Sequence, residues 1–191
     1  MDIDRLIKKD EVHRDVYVSE EVFGLEMDRI FGSAWIYVGH DSQIPNPGDY
    51  WTTRIGLQSV VMTRGKRDEI NIFYNRCPHK GARIAEEGCG HTNGLFRCPY
   101  HAWTFNLDGK LRGVPYLDGY QDTSFDLTDP RFSLRKVARV AAYRGFVFAS
   151  LAEDGAEFED FLAGVKSSLD NFCDRAPEGT VSVAGGVFRV V

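Results

Sequence analysis

The sequence contains no long hydrophobic run. No stretch approaches the roughly 18 consecutive apolar residues that identify a membrane-spanning helix. The opening residues, MDIDRLIKKDEVHRD, carry no apolar core of the kind a secretory leader needs. An excess of basic charge is missing too: 23 Lys and Arg stand against 28 Asp and Glu, a formal net charge of −5. Nucleic-acid binding rests on a basic face, so the balance argues against that class. Internal repeats and low-complexity tracts are absent. The expectation is a cytoplasmic protein with neither a membrane nor a nucleic-acid partner. Cysteine is scarce, being limited to Cys77, Cys89, Cys98 and Cys173. In a reducing compartment, spaced cysteines point to metal binding or catalysis more often than to disulfides.

What is present is enough for a real core. The chain has 191 residues, 43% of them hydrophobic, which suits one full domain with appendages. Three zones follow one another. In residues 1–34, Ser19 is placed to cap a helix whose first turn carries Glu20 and Glu21. Phe23, Met27, Ile30, Phe31 and Ala34 then fall at helical spacing, which predicts one packed face. Residues 35–153 read as short strands and turns: AWIYVGH, YWTTRI, LQSVVMT, INIFYN, WTFNL, KLRGV, VARVAAY and GFVFASL. Asp108–Gly109 and Arg144–Gly145 mark tight hairpins. Such a series predicts a mainly β, antiparallel sandwich or barrel. In residues 154–191, Phe158, Phe161, Leu162, Val165, Leu169 and Phe172 predict a second helix, weakened at Gly164. TVSVAGGVFRVV then reads as a strand beginning at the very end, the expected signature of a piece of a longer chain.

The chemistry is carried by RCPHKGARI and FRCPYHAWTF. The first offers Cys77 and His79 as Cys-x-His; the second offers Cys98 and His101 as Cys-x-x-His. Gly81 and Gly94 let the backbone bend around a bulky group. Two thiolates and two imidazoles suit either a structural zinc ion or a Rieske cluster. Zinc fingers usually pair cysteine with cysteine and histidine with histidine at short spacing. A Rieske [2Fe–2S] cluster takes two Cys on one iron and two His on the other. The mixed halves seen here match the second pattern. Replacing two thiolates by neutral imidazoles leaves the cluster less negative, which raises its potential above that of all-Cys ferredoxins. The second ring nitrogen of each imidazole stays free for a hydrogen bond.

RCPHKGARI and FRCPYHAWTFNLDGKL together closely resemble the Rieske loops of the large (alpha) subunit of aromatic-ring-hydroxylating dioxygenases. FGSAWIYVGHDSQIPNPGDY is similar to that family's lead-in to the Rieske domain, and SSLDNFCDRAPEGTVSVAGG to its linker. The likeness runs from Tyr17 to Val191. It implies a Rieske-type antiparallel β-sandwich with flanking N- and C-terminal helices. It divides the chain into an N-terminal helical extension (1–34), a Rieske [2Fe–2S] domain (35–153), and a helix and linker (154–191). It also implies Trp103 as the tryptophan beside the cluster. Ala102 departs from the family, standing where glycine is frequent.

By the same resemblance, a mononuclear Fe(II) on two His and one carboxylate belongs to a catalytic domain expected downstream of Val191. No catalytic residue is therefore expected in this chain. The implied partners are an NAD(P)H-fed reductase or a ferredoxin as electron donor, and an alpha-subunit trimer with or without beta subunits. The implied chemistry is O2-dependent hydroxylation in aromatic hydrocarbon catabolism. The rival functions are a stand-alone Rieske ferredoxin-like carrier and a structural zinc module. The helical extension and the segment from Asp154 to Val191 exceed what a carrier needs.

The remaining candidates carry simpler expectations. His40 reads as a hydrogen-bonded structural histidine and His13 as a surface residue. His91, in the stretch between the ligand pairs, matches neither Cys–His spacing. Cys89 reads as a free thiol and Cys173 as helix packing. The respiratory high-potential Rieske proteins carry an extra loop disulfide; CPH and CPYH have no second cysteine, which by resemblance favours the oxygenase branch. Arg76, Lys80, Arg83, Arg97, Lys110 and Arg112 outnumber Glu86, Glu87 and Asp108, which predicts either an ordinary solvated surface or a basic rim for an acidic donor.

Overall fold

The computed structural model describes residues 3–86 and 88–184. Its strands, in chain order, are β1 (Ile36–His40), β2 (Asp49–Ile55), β3 (Gln58–Arg64), β4 (Ile70–Tyr74), β5 (Cys89–His91), β6 (Leu95–Arg97), β7 (Thr104–Asn106), β8 (Leu111–Gly113), β9 (Arg139–Tyr143) and β10 (Phe146–Ser150). They form three antiparallel sheets, ordered β1-β10-β9, β4-β3-β2-β5 and β6-β7-β8. The mainly β, Rieske-type expectation is met. Short β5 and β6, lying between the two ligand pairs, were not among the expected strands; at three residues each they are too brief to show a period.

The sheet containing β3 and β4 is covered on both faces. Val60, Met62 and Ile72 pack toward Val38, Val147 and Ala149 of the β1-β10-β9 sheet. Val61 and Phe73 point the other way, toward Phe96, Phe105, Cys77 and Cys98. Side chains alternate along a strand, so Val60, Val61 and Met62 serve two cores in succession and all three are fully buried. Ile36 and Val38 of β1, and Val147 and Ala149 of β10, are alternate residues that all face the first of these cores.

Both expected hairpins form. Tyr143 pairs with Phe146 across Arg144 (φ 51°) and Gly145 (φ 89°), two left-handed residues in succession, as a type I′ turn demands. Gly109 (φ 86°) turns β7 toward β8, and a Cβ there would stand 2.4 Å from Cε1 of Phe73. Glycine at that position is required by both conformation and space.

The helices are α1 (Asp15–Val18), α2 (Glu20–Glu26), α3 (Phe158–Leu162) and α4 (Val165–Cys173). Ser19 caps α2, its Oγ accepting from the N–H of Val22 at 3.4 Å. The expected apolar face is only partly used. Met27 and Phe31 pack around Gly56, whose added Cβ would meet Phe31 Cβ at 2.9 Å. Val22 is buried, whereas Phe23 and Ile30 are exposed. A π-helical turn at Met27–Phe31 takes the chain off the α-helical register on which the expectation rested.

The second expected helix is two. Ala163 adopts φ 35° before Gly164 and breaks the run between α3 and α4. Phe158 and Leu162 pack with Trp35 against the outer face of the β1-β10-β9 sheet. Phe161, Val165 and Phe172 are exposed, because the break ends the common stripe. Cys173 is buried, as helix packing predicts. Arg144 holds α4 through Asp170 (3.0 Å) and Asp174 (2.6 Å). Residues 180–184 form no strand, and the rest of TVSVAGGVFRVV lies outside the described residues. Among the described residues no helix is long and apolar enough to cross a membrane.

Candidate metal centre

The first ligand loop leaves the sheet where β4 ends. Asn75 is buried there and closes the loop at its neck. Its Oδ1 accepts from the N–H groups of Ile84 (2.9 Å) and Ala85 (3.0 Å), while Nδ2 donates to the Ala85 carbonyl at 2.7 Å. Inside this clamp, the N–H of Cys77 donates to the carbonyl of Ala82 at 2.7 Å. The N–H of Gly81 (φ 77°) returns to the carbonyl of Cys77 at 2.9 Å.

The second loop joins β6 to β7 beyond the pair Arg97–Thr104. The N–H of Cys98 donates to the carbonyl of Trp103 at 2.8 Å, and the N–H of Ala102 to the carbonyl of Cys98 at 3.0 Å. Ala102 has φ 55°, left-handed backbone that glycine adopts freely and alanine does not. The departure noted at this position therefore falls where the turn geometry favours glycine.

The four expected ligands converge as two pairs. Cys77 and Cys98 are each 2% exposed and sit in the core with Phe96, Trp103 and Phe105. Burial pushes the Cys77 thiol up, and hydrogen bonding with the Cys98 thiol pushes it further, to about 11. The imidazoles of His79 and His101 lie with ring centres 4.6 Å apart at 71°. His79 is half-buried and lies flat on Trp103, centres 4.8 Å apart at 8°. Burial, followed by the neighbouring His101 and Lys80 charges, lowers the proton affinity of His79. That favours the neutral ring a metal needs. His101 is exposed, with the Tyr100 ring against it at 3.8 Å.

These residues fit a binuclear iron–sulfur group. Nδ1 of His79 is buried without any hydrogen-bond partner, a costly state that a metal bond would relieve. Two buried thiols face one another, and two imidazoles form a separate pair. A single zinc ion would need at least three such side chains converging on one point. Among the described residues no group of three His, Cys, Asp or Glu is arranged to do that.

The other candidates stand apart from the pairs. His91 pairs with Asp49, Nδ1 to Oδ1 at 2.7 Å, on the β5 edge. Despite the cost of burial, this bond and those from Asn46 hold the Asp49 carboxyl below its usual range. His40 is buried; its Nδ1 meets Ser42 Oγ at 2.9 Å, but its Nε2 has no partner, so it is only half satisfied. His13 is exposed, and so is the free thiol of Cys89. Of the basic residues singled out, Arg76, Lys80 and Arg83 line one groove, whereas Arg97, Lys110 and Arg112 do not. Asn75, Arg131 and Arg135 had no sequence signal: an asparagine after a strand and two arginines far along the chain match no spacing rule.

A strand-borne pair of cysteine–histidine turns, over a shared aromatic core, defines an electron-transfer module of the Rieske class. The family model described as "Rieske [2Fe-2S] domain" matches residues 34–136, more than half of the chain, and the chain belongs to that family. Among curated proteins it is 42% identical to toluate 1,2-dioxygenase subunit alpha of Pseudomonas putida, over 96% of this chain and 41% of that protein. It is 37% identical to the anthranilate 1,2-dioxygenase large subunit of Acinetobacter baylyi, over 92% of this chain and 36% of that one. Among solved structures, naphthalene 1,2-dioxygenase from Rhodococcus sp. superimposes with a TM-score of 0.79 at 35% identity, covering 87% of this chain and 37% of that one. The chain thus spans about two fifths of the length of the relatives it matches.

Proposed function

We propose that this chain is the electron-relay portion of a ring-hydroxylating oxygenase alpha subunit acting on an aromatic substrate. The observation that carries the reading is the pairing of two buried thiols and two imidazoles, with the His79 Nδ1 left orphaned, inside a matched Rieske domain. Cys77 and Cys98 would hold one iron, and His79 and His101 the other. When bound, the [2Fe–2S] group supplies reversible one-electron exchange. The chain's own residues do the rest. Asn75 holds the first loop to the sheet, Trp103 fixes the plane of His79, and the shared core keeps water from both thiols.

For the whole subunit we infer an NAD(P)H-fed reductase or ferredoxin as donor, a mononuclear iron as acceptor, and a trimer of alpha subunits with or without beta subunits. The proposed boundaries are a helical extension at 1–34, the Rieske domain at 35–153 and a linker at 154–191. The alignment with the toluate dioxygenase alpha subunit takes in 96% of the chain, flanking helices included, which favours a subunit over a stand-alone carrier. The test is direct. Full-length protein purified without added metal should be red-brown, with two irons per chain and a reduced Rieske EPR signal. A colourless protein with stoichiometric zinc would falsify the assignment.

A further inference from the structure

We propose that Arg144 and Ser42 are positioning residues: they set the direction in which the chain leaves the Rieske domain, and with it the spacing between the cluster and its electron acceptor. This rests on the reading of the chain as a Rieske relay whose acceptor iron belongs to the polypeptide that follows. The tip of the β9–β10 hairpin and the end of β1 form one node. The N–H of Asp41 donates to the carbonyl of Gly145 at 2.8 Å, and a Cβ on Gly145 would stand 2.4 Å from Nε2 of His40. His40 is 3% exposed, so the hairpin tip rests on a buried ring.

From this node the departing segment is gripped at successive points. Tyr143 Oη and Arg144 Nη1 both donate to Oδ1 of Asp170, at 2.7 and 3.0 Å. Arg144 Nη2 donates to Oδ1 of Asp174 at 2.6 Å and to the carbonyl of Gly179 at 2.7 Å. The N–H groups of Ala176 and Gly179 close turns in between. Further on, Ser42 Oγ accepts the N–H of Val183 at 3.0 Å. Arg144 holds φ 51°, a left-handed turn position that glycine or asparagine adopts at less cost. The turn alone therefore does not call for arginine, whereas a planar fork of donors facing three oxygens does. The Arg144 side chain is 27% exposed, and partly exposed ion pairs contribute little to stability. What the converging bonds supply is direction. A small swing where the chain leaves becomes a large displacement further along it, and electron exchange between two centres weakens steeply with their separation.

The test uses the full-length subunit. Arg144→Gly keeps the left-handed turn and removes the grip; Arg144→Lys keeps a single cation. Amide hydrogen exchange reads the departing segment. Microwave-power saturation of the reduced Rieske EPR signal reads the spacing, because a nearby acceptor iron speeds the relaxation of the cluster. In Arg144→Gly, exchange at residues 174–179 should rise about ten-fold and the relaxation should weaken about two-fold or more, with g-values and potential unchanged. Arg144→Lys should recover part of both. Ser42→Ala should speed exchange at Val183, with a smaller loss of relaxation. Unchanged exchange overturns the grip. Faster exchange with unaltered relaxation overturns the positioning role and leaves Arg144 a stabilising contact only. Altered g-values or potential overturn it as well, since the effect then passes through the ligand loops. If Arg144→Gly does not fold, Asp170→Asn/Asp174→Asn decides from the other side of the contact by the same two readouts. A missing Rieske signal in the unmodified protein defeats the relay reading, and the positioning role with it, whereas exchange in Arg144→Gly still reads the grip by itself.

Discussion

In the first ligand loop, the N–H of Cys77 reaches the carbonyl of Ala82 and the carbonyl of Cys77 receives the N–H of Gly81. In the second, Cys98 makes the same two bonds with Trp103 and Ala102. Each cysteine is followed by a proline, and each turn closes on a left-handed residue four positions on, at φ 77° and 55°. The backbone is the same turn used twice. The histidine is not in the same place: it stands two residues after Cys77 but three after Cys98. That single offset leaves His79 half-buried on Trp103 and His101 exposed beside Tyr100. The surroundings differ as well. A buried asparagine clamps the first loop, whereas the second closes the β6–β7 hairpin. One turn geometry, displaced by one residue, yields two imidazoles with unequal access to partners.

The most damaging way to break this contrast is to remove the clamp. Asn75→Leu leaves the N–H groups of Ile84 and Ala85 and the Ala85 carbonyl buried and unpaired, a cost of about 3–5 kcal/mol. The urea midpoint should fall, and bound iron should drop well below two per chain. Asn75→Asp keeps both acceptor bonds and should recover part of each. No loss of iron in Asn75→Leu would show that the sheet ends alone hold the first loop.

Next in size is Trp103→Leu. Trp103 is 3% exposed, so truncation costs about 3 kcal/mol, and His79 loses its stacked face. The reduced EPR signal should broaden as the ring gains freedom, and Trp103→Phe should restore part of its sharpness. Tyr100→Leu, on the 65% exposed partner of His101, should change stability little; equal effects in the two variants would refute the inequivalence.

A third change addresses charge rather than packing. His101→Cys adds a thiolate and should lower the potential by about 100 mV or more, toward the about −400 mV of all-Cys plant-type ferredoxins. Voltammetry showing an unchanged or raised potential would refute the ligand assignment.

The smallest effects come from exchanging the left-handed residues. Ala102→Gly should stabilise by about 0.5–1 kcal/mol, relief of left-handed strain outweighing the added chain entropy. Gly81→Ala should destabilise by about 1 kcal/mol, its Cβ meeting only the flexible Arg76 side chain at 3.0 Å. Thermal melts of the two variants should shift in opposite directions; shifts of one sign would show that the loops are not equivalent turns.

Much of this was legible in residue order because it depends on local chemistry. The Ser19 cap and the Arg144–Gly145 turn each need only a few neighbours, and each appears where expected. Ala102 was legible as a departure, though not as a strained conformation. The helical stripes were half legible. Periodicity assumes an unbroken α-helix, and neither the π turn at Met27–Phe31 nor the break at Ala163 announces itself in composition. Asn75 was illegible because its partners lie nine and ten residues away and are backbone groups, which carry no sequence signal.

By itself the sequence determined the donor set, two thiols and two imidazoles in mixed pairs, and hence the class of chemistry. Hydrogen-bonding and metal-ligating capacity belongs to side-chain type and survives any change of conformation. The tertiary structure alone decided which imidazole is sheltered and which is open. It also brought Arg131 and Arg135 beside Arg76, Lys80 and Arg83, and left the His79 Nδ1 buried without a partner. Burial and electrostatic potential are sums over neighbours in space, and those neighbours come from strands far apart along the chain.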